Sequence, residues 1–277
     1  AFCEYRIHST CMTTQAETRA ERMDREATEA VLDRAGETRE AVRDRFTAEI
    51  PGWYSPWLHL AATSGVGLAL LALGATFIHH LRPVELLLVP AMIILANGWE
   101  WRVHKDVLHK RFPLFGELYK QHTPMHHRVY HEADMAIRDY RELRLVLIPA
   151  VGIVGIILAL APMAALVGWV LGPNCGWLVL VTNGVYMVSY ELLHLSYHLP
   201  SDHPISKLRV IRWLSRHHAR HHDPRLMQRW NFNVTLPLFD WIHGTIHSPE
   251  KEASRVAAAE QKRAAGSRAR SAVLTFA

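Results

Sequence analysis

Residues 145–190 read LVLIPAVGIVGIILALAPMAALVGWVLGPNCGWLVLVTNGVYMVSY, 46 consecutive positions without a charged side chain. Crossing a hydrocarbon core of about 30 Å as a helix takes about 20 apolar residues. The stretch therefore holds two crossings, and Gly172-Pro173-Asn174-Cys175-Gly176 puts turn-forming residues at its middle. Upstream, Trp57 to Ile78 is a further run of 22 uncharged residues. Between Glu85 and Glu100 lie 14 more, LLLVPAMIILANGW. That run is short for a full crossing, so its helix must use both interfaces and continue past one of them. Four spans in two hairpins make the expected fold all-α and integral to a membrane.

Composition agrees with such a chain. It has 277 residues, 49% of them hydrophobic, which excludes a disordered tract, a collagen or a disulfide-stapled mini-protein. The three cysteines Cys3, Cys11 and Cys175 form no C-x-x-C, so neither a disulfide framework nor a zinc ribbon is expected. The net charge of +5 is not spread evenly. Lys plus Arg number 8 in residues 1–56, 9 in residues 102–144 and 13 after residue 194, and the remaining one of 31 is Arg82 in the first hairpin turn. By the positive-inside rule the three polar segments, both termini included, face the cytoplasm. The charge is a topology signal, and no nucleic-acid partner is expected.

The termini carry weaker signals. Residues 1–56 contain no long apolar h-region, and AFCEYRIHSTC before Met12 is expected to be upstream of the natural start. Residues 15–48 are rich in both charge signs, with Glu21 and Arg25 at i,i+4, and are expected to form a solvated helix bearing a thin stripe of Met23, Ala27 and Val31. The organisation expected is a charged helical segment over 1–56, a membrane domain over 57–246 and a basic, disordered tail over 247–277.

Histidine is over-represented, with 19 copies against 15 glycines. Fifteen lie between residues 101 and 247, and ten of these form four groups at the ends of spans or in the polar segments. His104 and His109 follow the second span; His122, His126 and His127 form H-T-P-M-H-H; His194 and His198 close the fourth span; His218, His221 and His222 form H-A-R-H-H. On a helix, residues three or four apart share a face, so His194 with His198, or His218 with His221 and His222, can aim imidazoles at one point. His104 and His109 are five apart and need a local kink or separate targets. One metal accepts about four to six ligands, so ten imidazoles imply two metal ions. His8, His59, His79 and His80 are expected to be non-ligands, while His131, His203, His217, His243 and His247 are left open.

H104-x4-H109, H122-x3-H126-H127, H194-x3-H198 and H218-x2-H221-H222, set between two helical hairpins, resemble the fatty acid hydroxylase superfamily of integral membrane di-iron enzymes, which includes sterol desaturases. Glu100, Glu191 and the closing Asn233 to Thr245 segment share the likeness. The resemblance implies a di-iron centre of two iron ions held by these ten histidines, with O2 as co-substrate, hydroxylating or desaturating a lipid such as a fatty acyl chain or sterol. It implies that Glu100, Glu191 and Asp240 accept the outward ring N–H groups of the ligands. It departs in the second group, where three residues separate His122 from His126 and several members have two, leaving His131 as either an additional ligand or a group that supports one. The string H131-E132-A-D-M135 lacks the second histidine of a zinc-protease motif.

No C-x-x-C-H, H-P-G-G or complete G-x-G-x-x-G fingerprint occurs. Electrons are therefore expected from a separate reductase, ferredoxin or cytochrome b5-like partner, with Arg209, Arg212, Arg216, Arg220, Arg225 and Arg229 as a dock for it or for lipid phosphates. Two other readings compete: an acyl-CoA-type membrane desaturase, and a histidine-based divalent-metal transporter. Transport sites place ionisable groups near mid-membrane, and here the spans are nearly free of them.

Overall fold

A computed structural model describes residues 37–111, 115–255, 257–258 and 261. The Met12 start, the Glu21 and Arg25 pair, the Met23, Ala27 and Val31 stripe and most of the basic tail fall outside the described residues. Ala35–Ile246 forms one compact unit.

Its principal helices are α1 (Arg39–Ala48), α2 (Pro56–Phe77), α3 (Leu88–Val103), α4 (Ala150–Leu171), α5 (Pro173–Tyr197) and α6 (Arg209–His221). Among the described residues four helical stretches are long and apolar enough to cross a membrane: Pro56–Phe77, Pro83–Leu108, Tyr140–Leu171 and Pro173–Tyr197. The chain is thus a multi-pass membrane protein. The second stretch does run beyond its bracketing glutamates. A 3-10 turn at Pro83–Leu87 leads into it and a π-helical turn at His104–Leu108 extends it. Glu85 caps that entry, accepting from the Arg82 main-chain N–H at 2.7 Å and from the Arg82 guanidinium.

Each span starts and stops for a local reason. Ser55 Oγ accepts from the Leu58 N–H, and Pro56 begins α2 without an N–H to satisfy. Between α4 and α5 the expected five-residue turn contracts to a single residue, Gly172, at φ 109°, a conformation glycine adopts without a Cβ clash. Asn174 ties the two hairpin turns together, accepting from the His79 N–H at 3.1 Å and donating to the His79 carbonyl at 2.8 Å. Large apolar side chains such as Leu68, Leu71, Leu95, Val151, Leu158 and Leu166 stay exposed along the spans, as lipid-facing surfaces do.

α5 is the centre of the bundle, packed against α2, α3, α4 and α6. Close approach is possible because small residues line the contacts. A Cβ on Gly176 would stand 2.8 Å from the Ala164 carbonyl and 3.1 Å from Gly168 Cα, both main-chain atoms that cannot rotate away. A separate apolar cluster under the polar cap joins Ile50, Val129, Tyr130, Ile137, Leu143, Leu145 to Leu147 and Leu195. It connects α1, the segment after the second histidine group and the end of α5 into one support.

Gly176→Ala is expected to force α4 and α5 apart and destabilise the bundle by about 1–3 kcal/mol. Gly155→Ala, which meets nothing within 4 Å, is expected to be neutral. Melting temperatures of the two variants in the same detergent test this pair.

Candidate metal centre

The sequence-predicted ligands converge. Ring nitrogens of His104, His109, His122, His127 and His221 all lie within 4.8 Å of one another, and those of His126, His194, His198, His218 and His222 form a second such set. All ten residues are buried. The two sets abut, because His127 stacks on His222 with centroids 4.2 Å apart and His122 lies 5.5 Å from His126.

The partition follows α-helical spacing only in part: His194 with His198 and His218 with His222 pair at i,i+4, whereas His104 with His109 and His122 with His127 pair at i,i+5. His218 and His222, four apart on α6, belong to the second set, while His221 turns to the first; the expectation that all three aim at one point is corrected. Residues 218 and 222 share a face and 221 lies off to its side, so one helix end supplies both sets. His104 and His109 do share a target, and a local distortion achieves it. A π-helical turn at His104–Leu108 closes i→i+5 rather than i→i+4, and the two rings stack at 5.1 Å with an 18° interplanar angle. A second π-helical turn at Gln121–His126 likewise brings His122 and His127 to 4.6 Å and releases His126 to the other set. Pro124 inside that turn lacks the N–H of a normal α-helix, which explains the widening there.

The rings are oriented by main-chain carbonyls. Nδ1–H donates to Phe232 O in His104, to Trp230 O at 2.9 Å in His221, to Tyr130 O at 2.7 Å in His222, to Met135 O at 2.7 Å in His198 and to Leu145 O at 3.0 Å in His126. A carbonyl only accepts, so each of these neutral rings carries its proton on Nδ1 and a lone pair on Nε2. His109 reaches the same state through Thr123, whose hydroxyl donates to Leu108 O at 2.7 Å and accepts from His109 Nδ1 at 3.1 Å. His109 Nε2 then faces His221 Nε2 at 2.9 Å, lone pair against lone pair. Burial holds both imidazoles well below their ordinary pKa, as it does His122, His127, His198, His218 and His222, and it lowers His126 to about 4. A proton is thus a poor occupant of that contact at neutral pH, and a cation fits it. His127 Nδ1, His194 Nδ1, His198 Nε2 and His218 Nδ1 are buried without a hydrogen-bond partner, which also suits a metal-binding set.

The three carboxylates do not touch the ten rings by hydrogen bonds. Glu100 accepts from the N–H groups of Val234 and Thr235 and from the hydroxyls of Thr235 and Tyr186. Asp240 accepts from the N–H groups of Phe232 and Asn233, from Thr245 Oγ1 and from His217 Nε2. Glu191 accepts from the Ile148 N–H at 2.8 Å. Each one anchors the main chain near a carbonyl that orients a ring, one step further out than the sequence suggested. The reason is geometric: main-chain carbonyls already take the Nδ1–H of five of the rings, and Thr123 serves His109.

The undecided histidines fall outside both sets. His131 contacts the Arg128 carbonyl, His217 pairs with Asp240 and His243 stacks on Trp101 at 4.1 Å. His59 contacts Tyr54 Oη and Ile148 O. His79 and His80 stand exposed in the opposite turn, where His79 bonds through its main chain. Asn97, Thr123 and Tyr186 carry no spacing signal, being isolated polar residues in an apolar helix or a loop, and Thr235 is marked only as part of the Asn233 to Thr245 segment.

The fatty acid hydroxylase family matches residues 89–245, more than half of the chain and the whole of both histidine sets. The chain belongs to the fatty acid hydroxylase family. No curated protein matches this hydroxylase-family chain. Among solved structures it is similar to the hydroxylase domain visible in full-length Scs7p, with 17% identity, 76% of this chain and 67% of that chain covered, and a TM-score of 0.44.

His109→Ala or His221→Ala is expected to lower bound metal in the purified protein, whereas His79→Ala leaves it unchanged; elemental analysis reads the difference. Acid acts in the same direction. The depressed imidazole pKa values mean that the unfolded chain binds more protons than the folded one between about pH 4 and 6.5. Stability is therefore present above about pH 6.5 and lost as the pH falls through that window, which a melting series from pH 7.5 to 5 measures.

Proposed function

We propose that this family member is a membrane di-iron oxidoreductase that uses O2 and externally supplied electrons to hydroxylate, or desaturate, a lipid such as a fatty acyl chain or sterol. The supporting observation is the pair of abutting, buried five-histidine sets whose ring nitrogens converge. An all-imidazole donor set disfavours magnesium and calcium, which take oxygen ligands. Five imidazoles also exceed the four ligands usual for structural zinc. Bound there, ferrous ions supply the O2 activation needed to break an unactivated C–H bond.

The chain's own residues do the rest. His104, His109, His122, His127 and His221 hold one ion, and His126, His194, His198, His218 and His222 the other. Burial excludes bulk water and keeps the rings neutral, and the carbonyls of Phe232, Trp230, Tyr130, Met135 and Leu145 aim them. Glu100, Glu191 and Asp240 fix the segments carrying those carbonyls. Hydroxylation puts one oxygen atom into the product and releases the other as water, using two electrons and two protons from outside. Arg209, Arg212, Arg216 and Arg220 stand exposed along α6, a basic face for an acidic reductase, ferredoxin or cytochrome b5-like carrier. On this reading the catalytic domain covers residues 57–246, the tail after 247 is basic, and the histidine cap and both termini face the cytoplasm, where 30 of the 31 Lys and Arg residues would lie.

Expression in a lipid-producing host followed by mass spectrometry of extracted lipids is expected to show one species gaining a single oxygen atom. Loss of two hydrogens instead assigns desaturation. An unchanged lipid profile from a purified, iron-loaded, reductase-supplied protein offered the host lipid extract would refute the proposal.

A further inference from the structure

α1 lies outside the region that the family covers, and a ten-residue helix is too short to hold itself together in water. Yet Arg43 on this helix is only 3% exposed. A buried guanidinium must find acceptors for its fork of donors, and Arg43 finds four. Nε donates to Glu142 Oε1 at 2.9 Å, and Nη2 donates to Glu142 Oε2 and to the Ala136 carbonyl at 2.7 Å. Nη1 reaches Asp134 Oδ2 at 3.5 Å.

These acceptors lie beside the groups that orient three rings of the second set. Ala136 sits between Met135, whose carbonyl accepts from His198 Nδ1, and Ile137, whose N–H donates to the His198 carbonyl at 2.8 Å. Glu142 Oε2 accepts from Tyr130 Oη at 3.2 Å, and the Arg43 guanidinium lies 5.4 Å from the Tyr130 ring centroid. The Tyr130 carbonyl in turn accepts from His222 Nδ1. Glu142 also stands at the N-cap of the short helix Leu143–Val146, within which the Leu145 carbonyl accepts from His126 Nδ1. The first set is oriented from elsewhere: His104 and His221 by Phe232 and Trp230, His109 by Thr123.

We propose that Arg43 is a positioning residue that orients His126, His198 and His222, and so sets the metal affinity of the second histidine set while leaving the first alone. The inference rests on the two-metal reading above and adds to it a residue and a helix that lie outside the family region.

The test is a titration of the purified full chain with cobalt(II), whose visible bands report ligand geometry. The key variant is Arg43→Lys, which keeps a cation beside Glu142 but loses the fork. It is expected to weaken one of two cobalt equivalents by about tenfold or more, the scale on which groups orienting metal ligands act, and to leave the other within about twofold. In a His198→Ala/His222→Ala background the added Arg43→Lys is expected to change nothing. In a His109→Ala/His221→Ala background it is expected to weaken the equivalent that remains. Glu142→Gln, with the guanidinium left in place, is expected to follow Arg43→Lys. The metal-free melting temperature separates these effects from loss of fold. Equal weakening of both equivalents, or of neither, overturns the proposal. A wild-type chain binding a single equivalent overturns the two-metal reading instead, and Arg43 then stands or falls on whether Arg43→Lys weakens that equivalent.

Discussion

A neutral imidazole has one N–H and one lone pair, and burial obliges both to find a partner. Ten imidazoles packed into two abutting sets multiply that demand in a confined space. The protein meets part of it by setting main-chain carbonyls outside the sets, which take the Nδ1 protons of His104, His126, His198, His221 and His222 and leave their Nε2 lone pairs turned inward. Converging lone pairs repel one another unless a cation joins them, so the same arrangement that satisfies the outer nitrogens makes a centre that could hold metal. Much of the cap follows from holding those carbonyls in place.

That requirement explains where the charged residues went. A carboxylate bonded directly to each ring N–H would compete with the carbonyls. Glu100 and Asp240 instead pin residues 232–235, next to the carbonyls serving His104 and His221. Glu191 pins the segment around Leu145 that serves His126, through the Ile148 N–H. Carboxylates that accept several main-chain N–H bonds fix a loop more firmly than packing alone, since each lost bond leaves a buried polar group unsatisfied. The membrane bundle supplies the rigid base, because α5 is both the central span and the carrier of His194 and His198.

Membership in the fatty acid hydroxylase family fits this division of labour. The lipid-facing spans and the buried nitrogen-lined cap are parts of one unit, and a hydrophobic substrate needs both: a bilayer from which to arrive and a water-poor site in which to react. The helix α1 extends the unit beyond the family region by placing a guanidinium against the support of the second set.

The four spans were legible because hydrocarbon tolerates few charges and a crossing has a fixed length, so residues 145–190 alone announce a hairpin. The ten histidines were legible because their spacing and their common position at the ends of spans left few other uses for them. Which set each joined was not legible. His221 and His222 are neighbours in the chain and part company in space, and His104 meets His109 only through a π-helical turn that residue spacing does not encode. Glu100, Glu191 and Asp240 act one step further out than their sequence positions suggest for a related reason: sequence motifs report side chains, while five of the ring N–H groups of this centre are taken by the main chain. Composition and spacing by themselves determined a membrane bundle carrying a histidine cap. Only tertiary structure decided how the cap divides into two sets and what orients them, because those depend on backbone carbonyls, which every residue possesses and no sequence position marks.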